Sequence, residues 1–297
     1  MRVAITGSHG LIGSALVRSL SGDGHQVVRL VRAGADRGPV DGGEAVSWDP
    51  AGDGPRLTGV DAVVHLAGAG VGDRRWSASY KREIRESRVR GTRAIARACA
   101  GAEAPPRVLV SASATGYYGD TGERIVDESA PPGDDFLASV CADWEAAAEP
   151  AREAGIRVVH PRTGLVVAGE GGAFGRMMPL FRLGLGGRIG SGEQYWPFIS
   201  LTDHIAALRF ALDNHELSGP VNFTAPEPLP EREVTRVMAG LLHRPAVVPA
   251  PAFALRAALG EFATTLTYST RAVPAALTEA GFTFRHPTFE QALASVL

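Results

Sequence analysis

The stretch that decides the fold is Thr6-Gly7-Ser8-His9-Gly10-Leu11-Ile12-Gly13, close to the start of the chain. It follows a short apolar run, Arg2 to Thr6, that is typical of a buried strand, and it opens a segment with apolar residues at helical spacing. In such a loop one glycine makes the tight turn, one lets the backbone approach a pyrophosphate, and one allows close packing of helix on strand. The phosphates then lie on free N–H groups at the helix N-terminus. A plain glycine turn is the alternative, but the flanking strand and helix favour a dinucleotide site, formed by Gly7, Gly10, Leu11, Ile12 and Gly13.

The end of the second predicted strand, Gln26 to Val31, indicates which dinucleotide binds. In NAD-binding folds an acidic residue at this place bonds the ribose 2′-hydroxyl, whereas a basic residue accommodates the 2′-phosphate of NADP. Here the strand is followed by Arg32, and no acidic residue occurs before Asp36. Arg32 is therefore predicted to bind the 2′-phosphate, and NADP(H) is the predicted cofactor. A solvent-exposed arginine without a ligand is the alternative.

The rest of the first half alternates short apolar runs with longer segments of helical spacing, which predicts βαβ units. The expected strands and helices are Ala45–Trp48, Asp61–Leu66, Arg107–Ser111 and Ile156–Pro161 as strands, and Ser79–Cys99 and Ala142–Ala154 as helices. The predicted class is α/β, a Rossmann-type doubly wound parallel sheet with a smaller C-terminal substrate lobe.

The pattern changes after Gly164, where glycine and proline become frequent. We predict a Rossmann domain over residues 1–165 and a substrate lobe over most of 166–297, with residues 199–225 returning to the first domain. The lobe is expected to include a small C-terminal domain over about 249–297, with Gly281–Phe284 as an edge strand.

The composition limits the kind of protein. The chain has 297 residues and a formal net charge of −2, which points to neither nucleic acid nor an anionic membrane as a partner. Its two cysteines, Cys99 and Cys141, are too few for a disulfide framework and are expected to be buried, and no metal-ligand spacing occurs. No apolar stretch is long enough for a membrane span and no signal peptide is recognisable, so the expected compartment is the cytoplasm. The expected partner is a small-molecule substrate, and the expected state is a monomer or homodimer.

Several further motifs occur in order along the chain. They are Trp48-Asp49-Pro50, His65-Leu66-Ala67-Gly68, Arg74-Arg75-Trp76, Glu86-Ser87-Arg88-Val89, Ser111-Ala112-Ser113-Ala114-Thr115-Gly116-Tyr117-Tyr118-Gly119, Asp135-Phe136-Leu137 and the glycine-rich run from Gly184 to Gly192. Together with the glycine loop they resemble the extended short-chain dehydrogenase/reductases. Within these the chain is similar to the atypical NADP-binding branch called the nucleoside-diphosphate-sugar epimerase family, which carries a small C-terminal domain.

The resemblance implies additional cofactor contacts beyond the glycine loop. Leu66, Ala67 and Gly68 would pass beside the adenosine ribose, and Leu165 would line the nicotinamide side. Glu83 and Arg88 would face the cofactor from the long helix, with Arg88 in place of the asparagine that relatives usually carry. A solvated helix face is the alternative for Glu83.

The catalytic residues depart from the family pattern. Extended members carry a serine or threonine after the fifth strand and then Tyr-x-x-x-Lys, in which the lysine favours the phenolate. Ser113 matches the serine, but Leu137 and Cys141 stand where the tyrosine and lysine should be. Tyr117 and Tyr118, just beyond Ser113, are the remaining candidate acids, of which Tyr117 is preferred, with a role as pocket-wall aromatics as the alternative. Asp203 is expected to serve as a helix cap or structural acceptor rather than as an acid.

These observations leave three functions open. The first is an NADP(H)-dependent oxidoreductase or epimerase that acts on a small polar, sugar-like substrate. The second is a catalytically silent NADP(H)-binding regulator or scaffold, which the missing Tyr-x-x-x-Lys favours. The third is a lyase or dehydratase that uses its bound cofactor transiently. The first two differ in whether a substitute acid stands near the nicotinamide.

Overall fold

The fold is built on one large parallel sheet. A computed structural model describes residues 1–32, 44–52 and 54–297. Its strands are β1 Arg2–Thr6, β2 Gln26–Arg32, β3 Glu44–Trp48, β4 Ala62–His65, β5 Val108–Ser111, β6 Ser113–Ala114, β7 Ile125–Val126, β8 Arg157–Thr163, β9 Leu165–Val167, β10 Tyr195–Trp196, β11 Phe198–Ser200, β12 Gly219–Phe223, β13 Leu229–Pro230 and β14 Arg271–Ala272. Its helices are α1 Leu11–Gly22, α2 Ala78–Ala100, α3 Phe136–Ala146, α4 Glu149–Glu153, α5 Gly172–Arg182, α6 Leu201–Asp213, α7 Glu231–Leu242, α8 Ala252–Leu259, α9 Ala263–Thr267, α10 Ala275–Glu279 and α11 Phe289–Ala294.

The strand order of the large sheet is β3-β2-β1-β4-β5-β8-β12, with β6 paired to β8, and every pairing is parallel. The order reverses between β1 and β4, and ligands of such sheets bind at that switch point, outside the carboxyl ends of the strands. The predicted α/β class and Rossmann-type doubly wound sheet are confirmed.

Helices cover both faces of this sheet, as the buried strands require. Val3 and Ile5 of β1 point to one face and pack with Leu16 of α1 and Leu208 of α6. The residue between them, Ala4, points to the other face, where α2 and α4 cover the sheet. This alternation within one strand places the two helical layers and fixes the carboxyl edge between them.

The second half of the chain forms a smaller lobe with its own core. Its buried aromatic and apolar side chains come from α5, β10, β11, α7 and α11: Phe174, Met178, Phe181, Trp196, Phe198, Met238 and Phe289. Residues 201–223 lie with the large sheet instead, because α6 packs on α1 and β12 pairs with β8. The domain bounds drawn from the sequence stay a prediction.

Two predicted elements differ from the structure. The helix expected over Ala142–Ala154 is divided into α3, which begins earlier, and α4, because Pro150 lies at the start of α4 and lacks the N–H needed to continue α3. The segment Gly281–Phe284 is not a strand. The aromatic alternation there reflects packing, since Phe282 lies 4.9 Å from Phe284 and 5.5 Å from Phe210, measured between ring centroids.

A search of the described helices for one long and apolar enough to cross a membrane finds none.

Candidate cofactor and active site

Each glycine of the loop after β1 meets a different steric demand. Gly7 has φ +66°, and a Cβ there would lie 3.0 Å from the carbonyl carbon of Leu66. A Cβ on Gly13 would lie 2.1 Å from the oxygen of Gly7, so this position needs glycine for the helix to pack on the loop. A Cβ on Gly10 would meet only the Gly7 oxygen, at 3.4 Å. Gly10 therefore leaves a space that the fold itself does not use.

The N-terminus of α1 carries unused hydrogen-bond donors. The N–H of Gly10 donates to the oxygen of Gly7 at 3.0 Å, and the N-cap has no side-chain bond. Within the described part of the chain, no group accepts from the N–H of Leu11, Ile12 or Gly13. Free donors at the positive end of a helix dipole suit a diphosphate. The loop therefore fits the pyrophosphate of a dinucleotide.

Thr6 joins the end of β1 to the end of β4. Its Oγ1 accepts from the N–H of Leu66 at 3.0 Å and of Ala67 at 3.2 Å, and lies 2.8 Å from Nδ1 of His65. Because these two N–H groups use both lone pairs of Oγ1, the hydroxyl proton is left to donate to Nδ1 of His65. An Nδ1 that accepts a hydrogen bond belongs to a neutral imidazole. Burial agrees with this, since it lowers the pKa of His65 to about 4. Leu66 and Ala67 thus lie beside Gly7, as a ribose contact needs, with their N–H groups already engaged.

Arg32 ends β2 and is exposed. The register of β1 with β2 places Leu30 beside Thr6, the first residue of the glycine loop. Arg32 follows Leu30 by two residues and therefore lies at the same edge of the sheet as the loop. A 2′-phosphate bound at this edge would be within the reach of an arginine side chain. Asp36 lies outside the described residues.

A cavity of about 240 Å³ adjoins the glycine loop. Beyond the loop and Leu66, its walls are formed by residues at the ends of β5 and β8 and on α3 and α6: Ala112, Ser113, Trp144, Pro161, Thr163 and His204. The structure therefore brings Ser113 to the same space as the predicted pyrophosphate site. A larger hollow of about 420 Å³, bordered by Arg2, His25 and Glu44, opens beside the first residues of β2, away from this edge.

Ser113 belongs to a buried charged network that the sequence did not indicate. Its hydroxyl donates to Oε1 of Glu145 at 2.6 Å. The same carboxylate accepts from Nε and Nη2 of Arg162, each at 2.9 Å, in a two-pronged ion pair. Although burial alone would lower the pKa of Arg162, the bonds to Glu145 hold it above its ordinary value. Because the Ser113 proton is directed at Glu145, the oxygen faces the cavity as an acceptor.

The network continues from Arg162 to two tyrosines. Nη1 of Arg162 donates to the Tyr118 hydroxyl at 3.0 Å, which in turn donates to Oδ1 of Asn222 at 2.7 Å. Burial raises the pKa of Tyr118 to about 12, so this phenol stays protonated. The ring of Tyr117 lies 3.4 Å from Cζ of Arg162, and its hydroxyl makes no hydrogen bond to a described residue. Tyr117 is half-buried and is not part of the cavity wall.

The residues that replace the tyrosine and lysine are inert in this structure. Leu137 packs beside the turn after β6. A Cβ added at Gly116, in that turn, would lie 3.5 Å from the Cβ of Leu137. Cys141 is buried, and burial raises the pKa of its thiol to about 12. Neither residue supplies a mobile proton or a positive charge. Cys99 is likewise buried, as expected.

The two predicted contacts from α2 do not share a face. Glu83 is exposed, whereas Arg88 is half-buried and donates to the oxygen of Ala69 at 2.9 Å. Residues five apart on a helix are rotated by about 140°, so the two side chains leave the helix in different directions, and the expectation that both contact the cofactor stays a prediction. Gly68 touches Arg88, since a Cβ on it would lie 3.3 Å from the guanidinium carbon. Leu165 is half-buried at the start of β9 and does not line the cavity.

Asp203 has the structural role expected of it, although Ser200 is the cap of α6. The Asp203 carboxylate accepts from the N–H of Arg285 at 2.8 Å and of His286 at 2.9 Å, and so ties the C-terminal segment to α6. The neighbouring His204 has no role predicted from the sequence. Its Nε2 lies 3.1 Å from Oγ1 of Thr163, and burial lowers its pKa to about 3.

Arg162, Thr163 and Glu145 were also missed as site residues. Arg162 and Thr163 end β8, and polar residues at the carboxyl end of a parallel strand are a usable signal. Glu145 gave no such signal, because its partner lies 17 residues away on a different element.

Known proteins resemble this chain over almost its whole length. The model of the NAD-dependent epimerase/dehydratase family matches residues 3–223, and a domain of unknown function matches residues 250–296. An epimerase family protein of Mycobacterium leprae is 47% identical over 98% of this chain and 94% of its own length.

Solved structures agree with these matches. The human epimerase family protein SDR39U1, isoform 2, crystallised with NADPH, has a TM-score of 0.92 at 33% identity and covers 100% of this chain and 99% of its own. A nucleoside-diphosphate sugar epimerase of Corynebacterium glutamicum has a TM-score of 0.81 at 36% identity, with 100% of this chain and 58% of its own covered. The resemblance inferred from the motifs is confirmed, and the chain belongs to the NAD-dependent epimerase/dehydratase family.

Proposed function

We propose that this protein binds NADP(H) and acts as an oxidoreductase or epimerase on a small polar, sugar-like substrate. The observation that carries the proposal is the shared cavity, in which the free N–H donors of α1 and the Ser113 hydroxyl meet. A cofactor held by the first group would extend toward the second.

Four parts of the chain would hold the cofactor. The N–H groups of Leu11, Ile12 and Gly13 would bind the pyrophosphate, and Arg32 would bind the 2′-phosphate through a charge-assisted bond. Leu66, Ala67 and Gly68 would border the adenosine ribose, and Leu165 would stand toward the nicotinamide. The human relative crystallised with NADPH supports this choice of cofactor. NADP(H), when bound, supplies or accepts a hydride.

The chain's own residues would hold the substrate and manage its proton. Ser113 directs its proton at Glu145, so its oxygen would accept a hydrogen bond from a substrate hydroxyl rather than donate one to a carbonyl. The two bonds from Arg162 hold the Glu145 carboxylate in place and thereby fix this direction. Tyr117, whose ring lies on the Arg162 guanidinium, is the proposed proton donor and acceptor. Burial holds His204 neutral, so it would serve as a polar wall and not as an acid.

The name of the Corynebacterium protein suggests where a substrate search should begin, with nucleotide sugars. A panel of these and of small carbonyl compounds is incubated with NADPH or NADP⁺. Absorbance of NADPH reports net reduction or oxidation, and product analysis by NMR reports epimerisation, which leaves the cofactor unchanged overall.

Once a substrate is found, Ser113→Ala and Tyr117→Phe test the assigned roles. General acid–base groups contribute roughly 10²–10⁴-fold, so Tyr117→Phe should slow turnover by at least about 100-fold. Ser139→Ala, an exposed serine on α3, is the matched control and should turn over at the parent rate. Parent-rate turnover by both site variants would show these roles to be wrong.

A second candidate is an NADP(H)-binding protein without catalysis. Two observations favour it: the Ser113 proton is engaged by a buried carboxylate, and Tyr117 does not reach the cavity wall. NADPH binding in calorimetry with no conversion across the panel would support this second function over the first.

A further inference from the structure

Most of the large apolar side chains that the described chain exposes are gathered on the smaller lobe. Six of the eight belong to two segments, residues 180–185 and 247–253. They form what we call the apolar face: Leu180, Leu183, Leu185, Val247, Val248 and Phe253, each with 47% to 78% of its surface exposed. Single exposed apolar residues are ordinary, whereas a group of them marks a binding surface.

Backbone hydrogen bonds hold the two segments together. At the end of α5 the N–H of Leu185 donates to the oxygen of Leu180 at 2.9 Å, the arrangement in which the residue after a helix folds back on its last turn. The N–H of Val248 donates to the oxygen of Gly186 at 3.1 Å, which brings the second segment alongside the first. The apolar face is therefore one surface and not a set of scattered positions.

The helix that carries Phe253 has no buried residue. In α8, Ala252–Leu259, the only charged residue is Arg256, and the others are alanine, leucine and phenylalanine. A helix that is apolar on nearly every side is normally covered. The described chain leaves α8 uncovered, so a partner outside this chain is expected to cover it.

The backbone between the exposed side chains offers few hydrogen-bond donors. Pro245, Pro249 and Pro251 have no N–H, and the N–H groups of Val248 and Ala250 already donate within the lobe. Protein interfaces use such donors, at about one hydrogen bond per 100–200 Å². Hydrocarbon accepts none, so backbone next to it must be paired internally. This pattern favours lipid as the partner.

The charged side chains of this region are all basic. Residues 176–190 and 243–260 contain no aspartate or glutamate, and their arginines are Arg176, Arg182, Arg188, Arg244 and Arg256. Arg176 pairs with Asp73, and no ion pair joins the other four to a described residue. The acidic residues that follow the two segments, Glu193 and Glu261, are paired with other cations. The formal net charge of −2 is a sum over the chain and hides this local excess.

Two other partners fit these observations less well. A second copy related by twofold symmetry would bring the same face, and so arginine against arginine, which like charges oppose. An acidic protein would satisfy the charges, but leucine and valine are under-represented among the side chains that carry protein–protein affinity.

We propose that the apolar face is a membrane-docking surface whose partner is an anionic phospholipid bilayer. Its leucine, valine and phenylalanine side chains enter the boundary between headgroups and acyl chains, and the arginines around them bind lipid phosphates. The protein then lies on the membrane and does not span it. This inference is independent of the proposed function.

Vesicle sedimentation tests the proposal with the purified protein. The parent should sediment with vesicles of phosphatidylglycerol and phosphatidylcholine in equal parts, and far less with phosphatidylcholine alone. Leu183→Ser with Phe253→Ser should weaken binding to the mixed vesicles by at least about tenfold, because two apolar anchors are lost. Arg182→Gln with Arg256→Gln should weaken it roughly fivefold for each charge and reduce its dependence on salt.

Matched controls remove equal groups outside the apolar face. Ile125→Ser replaces an apolar side chain that is 57% exposed, and Arg93→Gln with Arg97→Gln removes two exposed charges from α2. Both should sediment as the parent does, and thermal melting shows whether each variant is folded. Phe253→Trp should shift its fluorescence to the blue when mixed vesicles are added, whereas Ile125→Trp should not.

Three results would overturn the proposal. A parent protein that sediments with neither kind of vesicle would leave an acidic protein as the partner of this face. Equal losses in the face variants and the controls would show that lipid contacts lie elsewhere. A dimer in analytical ultracentrifugation that Leu183→Ser with Phe253→Ser dissociates would show that a second copy covers the face. None of these measurements uses NADP(H), so their failure leaves the proposed function intact.

Discussion

The N-terminus of α1 and the Arg162 network lie at the same carboxyl edge of the sheet, but they differ in how fully their polar groups are paired. The α1 end has three N–H groups without a partner in the described chain. In the network, Ser113, Glu145, Arg162, Tyr118 and Asn222 bond one another. Buried polar groups are costly when unpaired, so the open donors mark a surface that a ligand completes. The closed network instead fixes the shape of the cavity wall.

The comparison predicts that the two regions fail differently when changed. Damage to the network should lower stability, and damage to the α1 end should lower affinity. Two experiments test this division and a third tests a dependence on pH that does not follow it, from the largest expected effect to the smallest.

Arg162→Met should destabilise the fold by roughly 3–5 kcal/mol, because it leaves the Glu145 carboxylate buried without its counter-charge. Urea unfolding followed by circular dichroism measures the change. The double variant Glu145→Leu with Arg162→Met removes both charges and should recover part of the loss. Arg236→Met, which breaks the exposed pair with Glu233, is the control and should cost less than about 1 kcal/mol. A cost for Arg162→Met as small as the control's would mean that the network does not support the fold.

Gly10→Val should leave the fold nearly intact and weaken NADPH binding by at least about 100-fold, as expected if two or more charge-assisted bonds are lost. The backbone of Gly10 is extended, with φ −75° and ψ 170°, so valine is sterically acceptable to the chain. The added bulk enters the space in front of the free N–H groups.

Calorimetry with NADPH and thermal melting of the same samples separate the two effects. Gly22→Val, at the far end of α1 with no atom within 4 Å of the added Cβ, should bind NADPH normally. Gly13→Val should lose stability as well as affinity, because its Cβ would overlap the oxygen of Gly7. A folded Gly10→Val protein with parent affinity would remove the loop from the phosphate site.

Three buried histidines give both regions a shared dependence on pH. Burial lowers the pKa of His65 and His160 to about 4 and that of His204 to about 3. In the unfolded chain the ordinary histidine pKa is about 6.5. As the pH falls toward and below this value, the unfolded state binds more protons than the folded state, so the free energy of unfolding decreases. Between about pH 7 and about pH 6 the loss should be roughly 0.7 kcal/mol for each histidine.

Urea midpoints measured at these two pH values test this linkage. The window lies above the ordinary range in which carboxylates take up protons. Burial raises the pKa of Glu128 and Glu231, which would oppose the loss of stability, whereas the three histidines all act in its direction. If the free energy of unfolding stays constant or rises when the pH is lowered from about 7 to about 6, the imidazoles are not held neutral. Bonds to His160 agree with a neutral ring, since its Nε2 accepts from Arg152 and its Nδ1 donates to the oxygen of Ser111.

Sequence reasoning succeeded where the decisive residues are close together in the chain. The glycine loop and its flanking strand and helix lie within residues 2–22. Turn geometry, helix termini and strand alternation are local properties, so their residue types can be interpreted without knowing the fold. The class of fold followed from these local patterns. The glycine loop that they identified forms one wall of the cavity. The absence of tyrosine and lysine at Leu137 and Cys141 was equally visible.

Tertiary structure decided what depends on how separate elements dock. Glu145 meets Arg162 only because α3 packs beside β8, and Arg88 meets Trp144 only because α2 packs beside α3. The Gly281–Phe284 segment looked like a strand because its phenylalanines alternate, yet they pack on Phe210 and on each other. Neither the buried ion pair nor the contact of an arginine with a tryptophan on another helix has a signature in local sequence. By itself the sequence thus determined the glycine loop with its flanking strand and helix, whose physics is local, whereas the charge arrangement opposite the loop was set by contacts between residues distant in the chain.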